Sequence, residues 1–342
     1  MSSRTWLVTG AAGFIGSNFV HLALDENWCN RVVAVDLLTY AGNLENLERH
    51  LGKDDRLAFH RVDVTDASAI RAILAQEKPA TIFHLAAESH VDRSIEDPAP
   101  FIRTNVLGTQ VLLDAARRAG VPRFLLVSTD EVYGSLALDS QERFHEGLPL
   151  TPSSPYAASK AASDLLALAA HHTHGQDVVI TRCSNNYGPY QFPEKLIPLM
   201  IMNAVAGEPL PVYGDGLNVR DWIHVSDHCR ALRAAAEHGL SGHAYNIGSD
   251  NERPNIDVVK TLLKILDRPE SLIKYVKDRP GHDRRYAIDA AKAHRELGWQ
   301  PRVPFERGLR ETAHWYLENA GWMERIRSGE FLSYYERMYA GR

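Results

Sequence analysis

Trp6-Leu7-Val8-Thr9-Gly10-Ala11-Ala12-Gly13-Phe14-Ile15-Gly16 decides the fold. The apolar run Trp6 to Val8 reads as a short buried strand. It breaks at Gly10 into a G-x-x-G-x-x-G turn. Ile15, Phe19, Leu22 and Ala23 then recur at the helical period. A strand, a glycine turn and a helix in this order make a phosphate cradle. Gly10 permits the tight turn, Gly13 lets the backbone approach a pyrophosphate, and Gly16 lets the helix pack closely on the strand. The first helical turn, with Phe14 and Ile15, offers unpaired N–H groups and positive potential. A second strand, Val32 to Val35, ends on Asp36, 20 residues past Gly16. A carboxylate there accepts bonds from the adenosine ribose and repels a 2′-phosphate, so the expected cofactor is NAD rather than NADP.

The alternation continues outward. Leu57 to Val62 runs into Asp63, and Thr81 to Leu85 and Phe124 to Val127 are further apolar strands. Helices are expected over Ala69 to Gln76 and about Asn105 to Ala119, the latter stopped by Gly120 and Pro122. Strands apolar throughout, separated by helices, predict a doubly wound parallel sheet covered on both faces. A helix over about Tyr156 to His172, ending near Gly175, and a strand over Val178 to Thr181 extend it. After Asn185 the chain turns rich in Pro, Gly and Asn. A dinucleotide domain is therefore expected over 1–185, rejoined by about 220–248. A smaller α/β substrate domain takes about 186–219 and 249–342, with a helix-like stretch from Phe305 to Tyr339.

Composition excludes other classes. The chain has 342 residues, 38 Lys+Arg against 43 Asp+Glu, and a net charge of −5. No run of five like charges occurs, so neither nucleic acid nor an acidic membrane surface is an expected partner. No apolar run is long enough to span a bilayer. Cys29, Cys183 and Cys229 are too few and too far apart for a disulfide framework, which suits a reducing compartment, and a cytoplasmic location without a signal peptide is expected. His171, His172 and His174 end a helix, where His suits the dipole, and no Cys or carboxylate set joins them, so no metal site is expected.

Tyr156-Ala157-Ala158-Ser159-Lys160 sets a phenol and an ammonium on one helix face. Bringing a phenol from its ordinary pKa to near neutrality needs roughly 4 kcal/mol of differential interaction. Lys160 and the positive nicotinamide are expected to share it, making Tyr156 the base that takes an alcohol proton. Ser128-Thr129-Asp130-Glu131 follows the Phe124–Val127 strand, at the end where sites of such sheets lie. Two adjacent carboxylates in different environments can divide acid and base work. An enzyme that only moves hydride at one carbon has no use for the pair, whereas a dehydratase needs both, a base for the C–H proton and an acid for the departing hydroxyl.

These motifs resemble the extended short-chain dehydrogenase/reductase superfamily and, within it, the family of dTDP-glucose 4,6-dehydratases. Ala86-Ala87-Glu88-Ser89-His90-Val91-Asp92, Ser184-Asn185-Asn186-Tyr187-Gly188-Pro189-Tyr190, Phe192-Pro193-Glu194-Lys195-Leu196, Val219-Arg220-Asp221-Trp222 and Asp278-Arg279-Pro280-Gly281-His282-Asp283 carry the likeness along nearly the whole chain. The resemblance implies oxidation at C4, loss of water across C5–C6 and hydride return to C6. It makes Glu131 the base at C5, Asp130 the acid for the 6-hydroxyl, and Thr129 a hydrogen-bond partner of the 4-hydroxyl. It puts Asp63, Val64, Leu85, Ala86, Ala87, Thr104 and Asn186 against NAD. Ser89, Asn185, Lys195, Leu196, Pro211, Tyr213, Arg220, Asn255, Arg279 and His282 would line the nucleotide-sugar site. It also implies a homodimer through a four-helix bundle. The 105–119 and 156–172 helices fit this, being apolar around much of their circumference. UDP- or CDP-glucose as substrate, a 4-epimerase, and a non-catalytic NAD-binding regulator remain the alternatives.

Overall fold

The computed structural model describes residues 4–279 and 281–327. The first six strands are β1 (Thr5–Thr9), β2 (Arg31–Asp36), β3 (Leu57–Arg61), β4 (Thr81–His84), β5 (Arg123–Thr129) and β6 (Val178–Cys183). Then come β7 (Asn185–Tyr187), β8 (Leu210–Tyr213), β9 (Val219–His224), β10 (His243–Ile247), β11 (Glu252–Pro254) and β12 (Ile273–Val276). Seven of them form one sheet in the order β10-β6-β5-β4-β1-β2-β3. Every pairing in it is parallel. This is the doubly wound, Rossmann-like architecture, with its order reversing between β1 and β4.

Alternation along each strand feeds two cores. Trp6 and Val8 point to one face with Phe19, Phe83 and Leu125. Leu7 points to the other, with Val33, Ile70, Ile82 and Leu126. A third core lies beyond the sheet. Tyr187, Met200, Leu210, Trp222, Leu262 and Tyr316 meet there. They come from two small sheets, β11-β9-β7 and β12-β8, and from the helices Leu196–Ala206, Asn255–Ile265 and Phe305–Glu318. β9 straddles the junction: Trp222 packs in the third core and Ile223 in the first. Residues 291–299, counted with the substrate domain on sequence grounds, join the first core instead through Ala293, Leu297 and Trp299.

Two helices depart from their expected limits. The one expected from Asn105 starts at Ala99 and passes through a π-helical segment, Ile102–Gly108, before Thr109–Ala119. Buried Asn105 explains the local demand. Its side chain accepts from the Glu88 N–H (2.9 Å) and donates to the Glu88 carbonyl (3.0 Å) and Ser159 Oγ (2.8 Å). Its carbonyl accepts from the Thr109 and Ser163 hydroxyls. Tertiary bonds thus hold the widened turn, and such turns recur at functional sites. The second helix is Pro155–His174. Ser154 caps its N-terminus and Gly175, at φ 66°, its C-terminus. The Phe305 stretch breaks at Asn319 and resumes over Ala320–Arg327; its expected continuation to Tyr339 lies outside the described residues.

Candidate active site

The glycine turn and the ends of β1, β2, β4, β5 and β6 wall a long cleft along the C-terminal edge of the sheet. Gly10 sits at φ 66°, and a Cβ there would meet the Ala86 backbone nitrogen at 2.7 Å. At Gly16 a Cβ would lie 2.0 Å from the Gly10 carbonyl oxygen. So Gly16 packs the helix onto the turn itself, not onto the strand as expected. Gly13 differs: a Cβ would meet only the Gly10 oxygen, at 3.3 Å. The protein leaves that position open on the cleft side, as a pyrophosphate requires. Gly13 caps the Phe14–Asp25 helix without a side-chain bond, so the first-turn N–H groups stay available. Asp36 accepts from the Ala12 and Leu38 N–H groups (2.9 and 2.8 Å), fixing its carboxylate at the cleft wall. Asp63, Val64, Leu85, Ala86, Ala87, Thr104 and Asn186 line the same cleft, and the cradle fits a dinucleotide.

The cleft ends on the expected catalytic group. Thr129, Asp130, Glu131, Tyr156 and Lys160 all line it. Lys160 is buried and its ammonium donates to the Val127 carbonyl at 2.6 Å. Burial lowers its pKa, opposed by Asp164 one turn on. Burial and then Glu131 push the Tyr156 phenol well above its ordinary value, while a hydrogen bond with Thr129 works the other way. The two carboxyls separate electrostatically. Burial raises Asp130 well above the carboxylate range, and Glu131 and Asp221 add to it. Glu131 is raised by burial too, but Arg279, Lys195 and Arg220 all pull it back. The shift favours the protonated form of Asp130 more strongly, whereas three cations oppose the effect of burial on Glu131.

A second cavity opens beyond. It is lined by Leu196, Pro211, Tyr213, Arg220, Asn255, Arg279 and His282, which the structure thus brings together. Glu131, Asn185, Glu194 and Lys195 line both cavities and so mark the junction. The cations are braced. Arg279 Nη1 donates to Asp92 at 2.7 Å, and Tyr213 donates to the same carboxylate at 3.1 Å. Arg220 donates to the Val219 and Asp283 carbonyls and lies 4.2 Å from the centre of the Tyr286 ring. His282 is bonded to Asp278 at 2.6 Å. Arg279 Nε and Asn255 Oδ1 are buried without a protein partner, which suits a polar ligand. Ser89, expected in the nucleotide-sugar site, sits on the catalytic side of the junction. It lines the first cavity, and its carbonyl accepts from Lys195 Nζ at 2.7 Å.

Comparison with known proteins agrees. The family model described as GDP-mannose 4,6 dehydratase matches residues 7–312. The dTDP-glucose 4,6-dehydratase of Xanthomonas campestris is 52% identical, covering 96% of this chain and 97% of its own. That of Shigella flexneri is 51% identical, covering 98% of this chain and 99% of its own. The chain belongs to the dTDP-glucose 4,6-dehydratase family. A Streptomyces venezuelae member of that family, solved with NAD and TYD bound, superposes with a TM-score of 0.91 at 49% identity, covering 94% of this chain and all of that one. A UDP-glucose 4-epimerase from Thermotoga maritima shares the fold at a TM-score of 0.86 but only 30% identity, covering 93% of this chain and all of that one.

Sequence reading missed several wall residues. Glu194 lines both cavities, and its only sequence signal is its place beside Lys195 in the Phe192–Leu196 segment. Asp92 braces Arg279, and Thr39 and Gly42 wall the cleft beside Asp36. These follow from tertiary neighbours, which no family motif spells out residue by residue.

Proposed function

We propose that the chain is an NAD-dependent hydro-lyase that converts dTDP-glucose to dTDP-4-keto-6-deoxyglucose. The observation that carries this is the buried Asp130–Glu131 pair, set in different electrostatic environments, with Glu131 at the junction of a dinucleotide cleft and a cation-lined cavity. Bound along Gly10–Gly16 and Asp36, NAD would accept hydride from C4 and later supply it to C6. Tyr156 takes the 4-hydroxyl proton, with Thr129 holding that hydroxyl. Lys160 and the positive charge of the cofactor ring together stabilise the phenolate, against the burial that raises its pKa. The C4 ketone makes C5–H acidic and places the 6-hydroxyl β to a carbonyl. Glu131 removes the C5 proton and Asp130 protonates the departing hydroxyl. Lys195, Arg220 and Arg279 suit the diphosphate, since Arg forks bind two oxygens.

The dimer reading rests on exposed apolar side chains. Ile102, Leu107 and Leu165 are 53%, 51% and 58% exposed on the two helices named above. A second copy would cover them in a four-helix bundle. The division into a dinucleotide unit and a substrate unit is supported by the separate third core. The cytoplasmic reading is supported by three cysteines that are free and buried. Among the described residues no helix is long and apolar enough to cross a membrane.

Turnover with dTDP-glucose, run beside UDP-glucose and CDP-glucose, tests the assignment. The expected result is a 4-keto-6-deoxy product formed fastest from dTDP-glucose. UDP-galactose appearing from UDP-glucose, with no dehydration of any substrate, would replace it with an epimerase.

A further inference from the structure

The segment after β2 walls the dinucleotide cleft through Leu37, Thr39, Ala41 and Gly42. Tyr40, at its tip, is not among the lining residues; its side chain reaches away to the other unit. Its hydroxyl donates to Glu194 Oε1 at 3.1 Å. Arg93 donates to Glu194 Oε2 at 3.2 Å, and its guanidinium lies 3.9 Å from the centre of the Tyr40 ring. Phe192 meets the same ring edge-on at 5.6 Å. Burial and the nearby Glu194 hold the phenol protonated, so it remains a donor. The Glu194 side chain is only 2% exposed. One carboxylate therefore joins the cleft's outer wall, the Val91–Glu96 helix and the loop carrying Lys195.

We propose that Tyr40 and Glu194 form a latch that closes the segment 37–43 over the dinucleotide and slows its exchange. The inference rests on the NAD-dependent reading above. The chemistry gives the latch its use: a cofactor that must give back what it took has to stay until the second transfer. Tyr40 is a positioning residue, touching neither cleft nor reacting atoms. Its removal should alter how long the cofactor stays, and leave the chemical step alone. The base of the segment is secured independently, by Asn43 donating to the Ala12 carbonyl and by Leu38 donating to Asp36. Loss of the latch thus frees the tip without dismantling the cradle.

The test compares wild type with Tyr40→Phe, which keeps the ring over Arg93 and removes only the hydroxyl, and with Tyr40→Ala. Each is loaded with NAD and desalted, and the loss of bound cofactor is followed over time. A hydrogen bond to a buried charge is worth enough to predict that NAD leaves Tyr40→Phe roughly tenfold faster. Tyr40→Ala should release it faster still. Turnover of Tyr40→Phe without added NAD should decay and be restored by adding NAD, with kcat at saturating NAD within about twofold of wild type. Equal NAD release from wild type and Tyr40→Phe would overturn the latch while leaving the function standing. Wild-type protein that holds no NAD at all would overturn both, because the reading beneath the latch would have failed first.

Discussion

Asp130 and Glu131 are neighbours in the chain but not in electrostatic environment. Burial raises both, yet Asp130 also meets Glu131 and Asp221, whereas Glu131 faces Arg279, Lys195 and Arg220. Elimination needs Asp130 protonated and Glu131 ionised, so its pH profile should be a bell. The acid limb follows Glu131 and the basic limb follows Asp130. Asp221 raises Asp130, so Asp221→Asn should lower the Asp130 pKa and move the basic limb to lower pH. Asn keeps one of the two oxygens that now accept from Ser249 N–H (Oδ2) and Asn251 N–H (Oδ1), so the substitution removes the charge at the cost of one of these bonds. A basic limb that stays put or rises would count against Asp130 as the acid. Tyr156→Phe should cut turnover by roughly 10²–10⁴, the range for a positioned acid or base. Binding of dTDP, measured by calorimetry, should hardly change. Near-normal turnover would remove Tyr156 from its role.

At the scale of elements, the glycine turn was legible because spacing, strand and helix all agreed. Spacing also divided the glycines between protein and ligand; what it could not give was that Gly16 packs against the Gly10 carbonyl of the turn itself. Gly16→Ala places a methyl against the Gly10 carbonyl and should cost about 1–3 kcal/mol of stability, read as a lower melting temperature without cofactor. Gly13→Ala meets only the edge of its own turn, so it should leave that melting temperature nearly unchanged and weaken NAD binding. Equal destabilisation by both would contradict this division. The π-helical segment at Ile102–Gly108 was invisible in sequence for a physical reason. Its determinants are the Glu88 backbone, Ser159 and Ser163, up to 58 residues from Asn105, and no local period records them. The same applies to Trp322, whose indole donates to Asn46 at 2.9 Å across 276 residues.

For the whole molecule, sequence patterning located the parallel sheet and the glycine turn, because apolar strands and glycine spacing are local signals; the residues that line the second cavity were named through the family resemblance. Patterning did not show that Ala293, Leu297 and Trp299 pack in the first core, since a short amphipathic helix does not say which core it will join. The exposed Ile102, Leu107 and Leu165 predict a dimer; sedimentation giving a stable monomer of 38.2 kDa at micromolar concentration would contradict the bundle. The central claim is that oxidation, elimination and reduction occur on one substrate molecule within one site. Substrate carrying deuterium at C4 tests it most directly, with the product examined by NMR after turnover in the presence of added NAD. The deuterium should appear on C6 of the same molecule, with none in the added NAD pool. Deuterium lost from the product to the added cofactor or to water would contradict it.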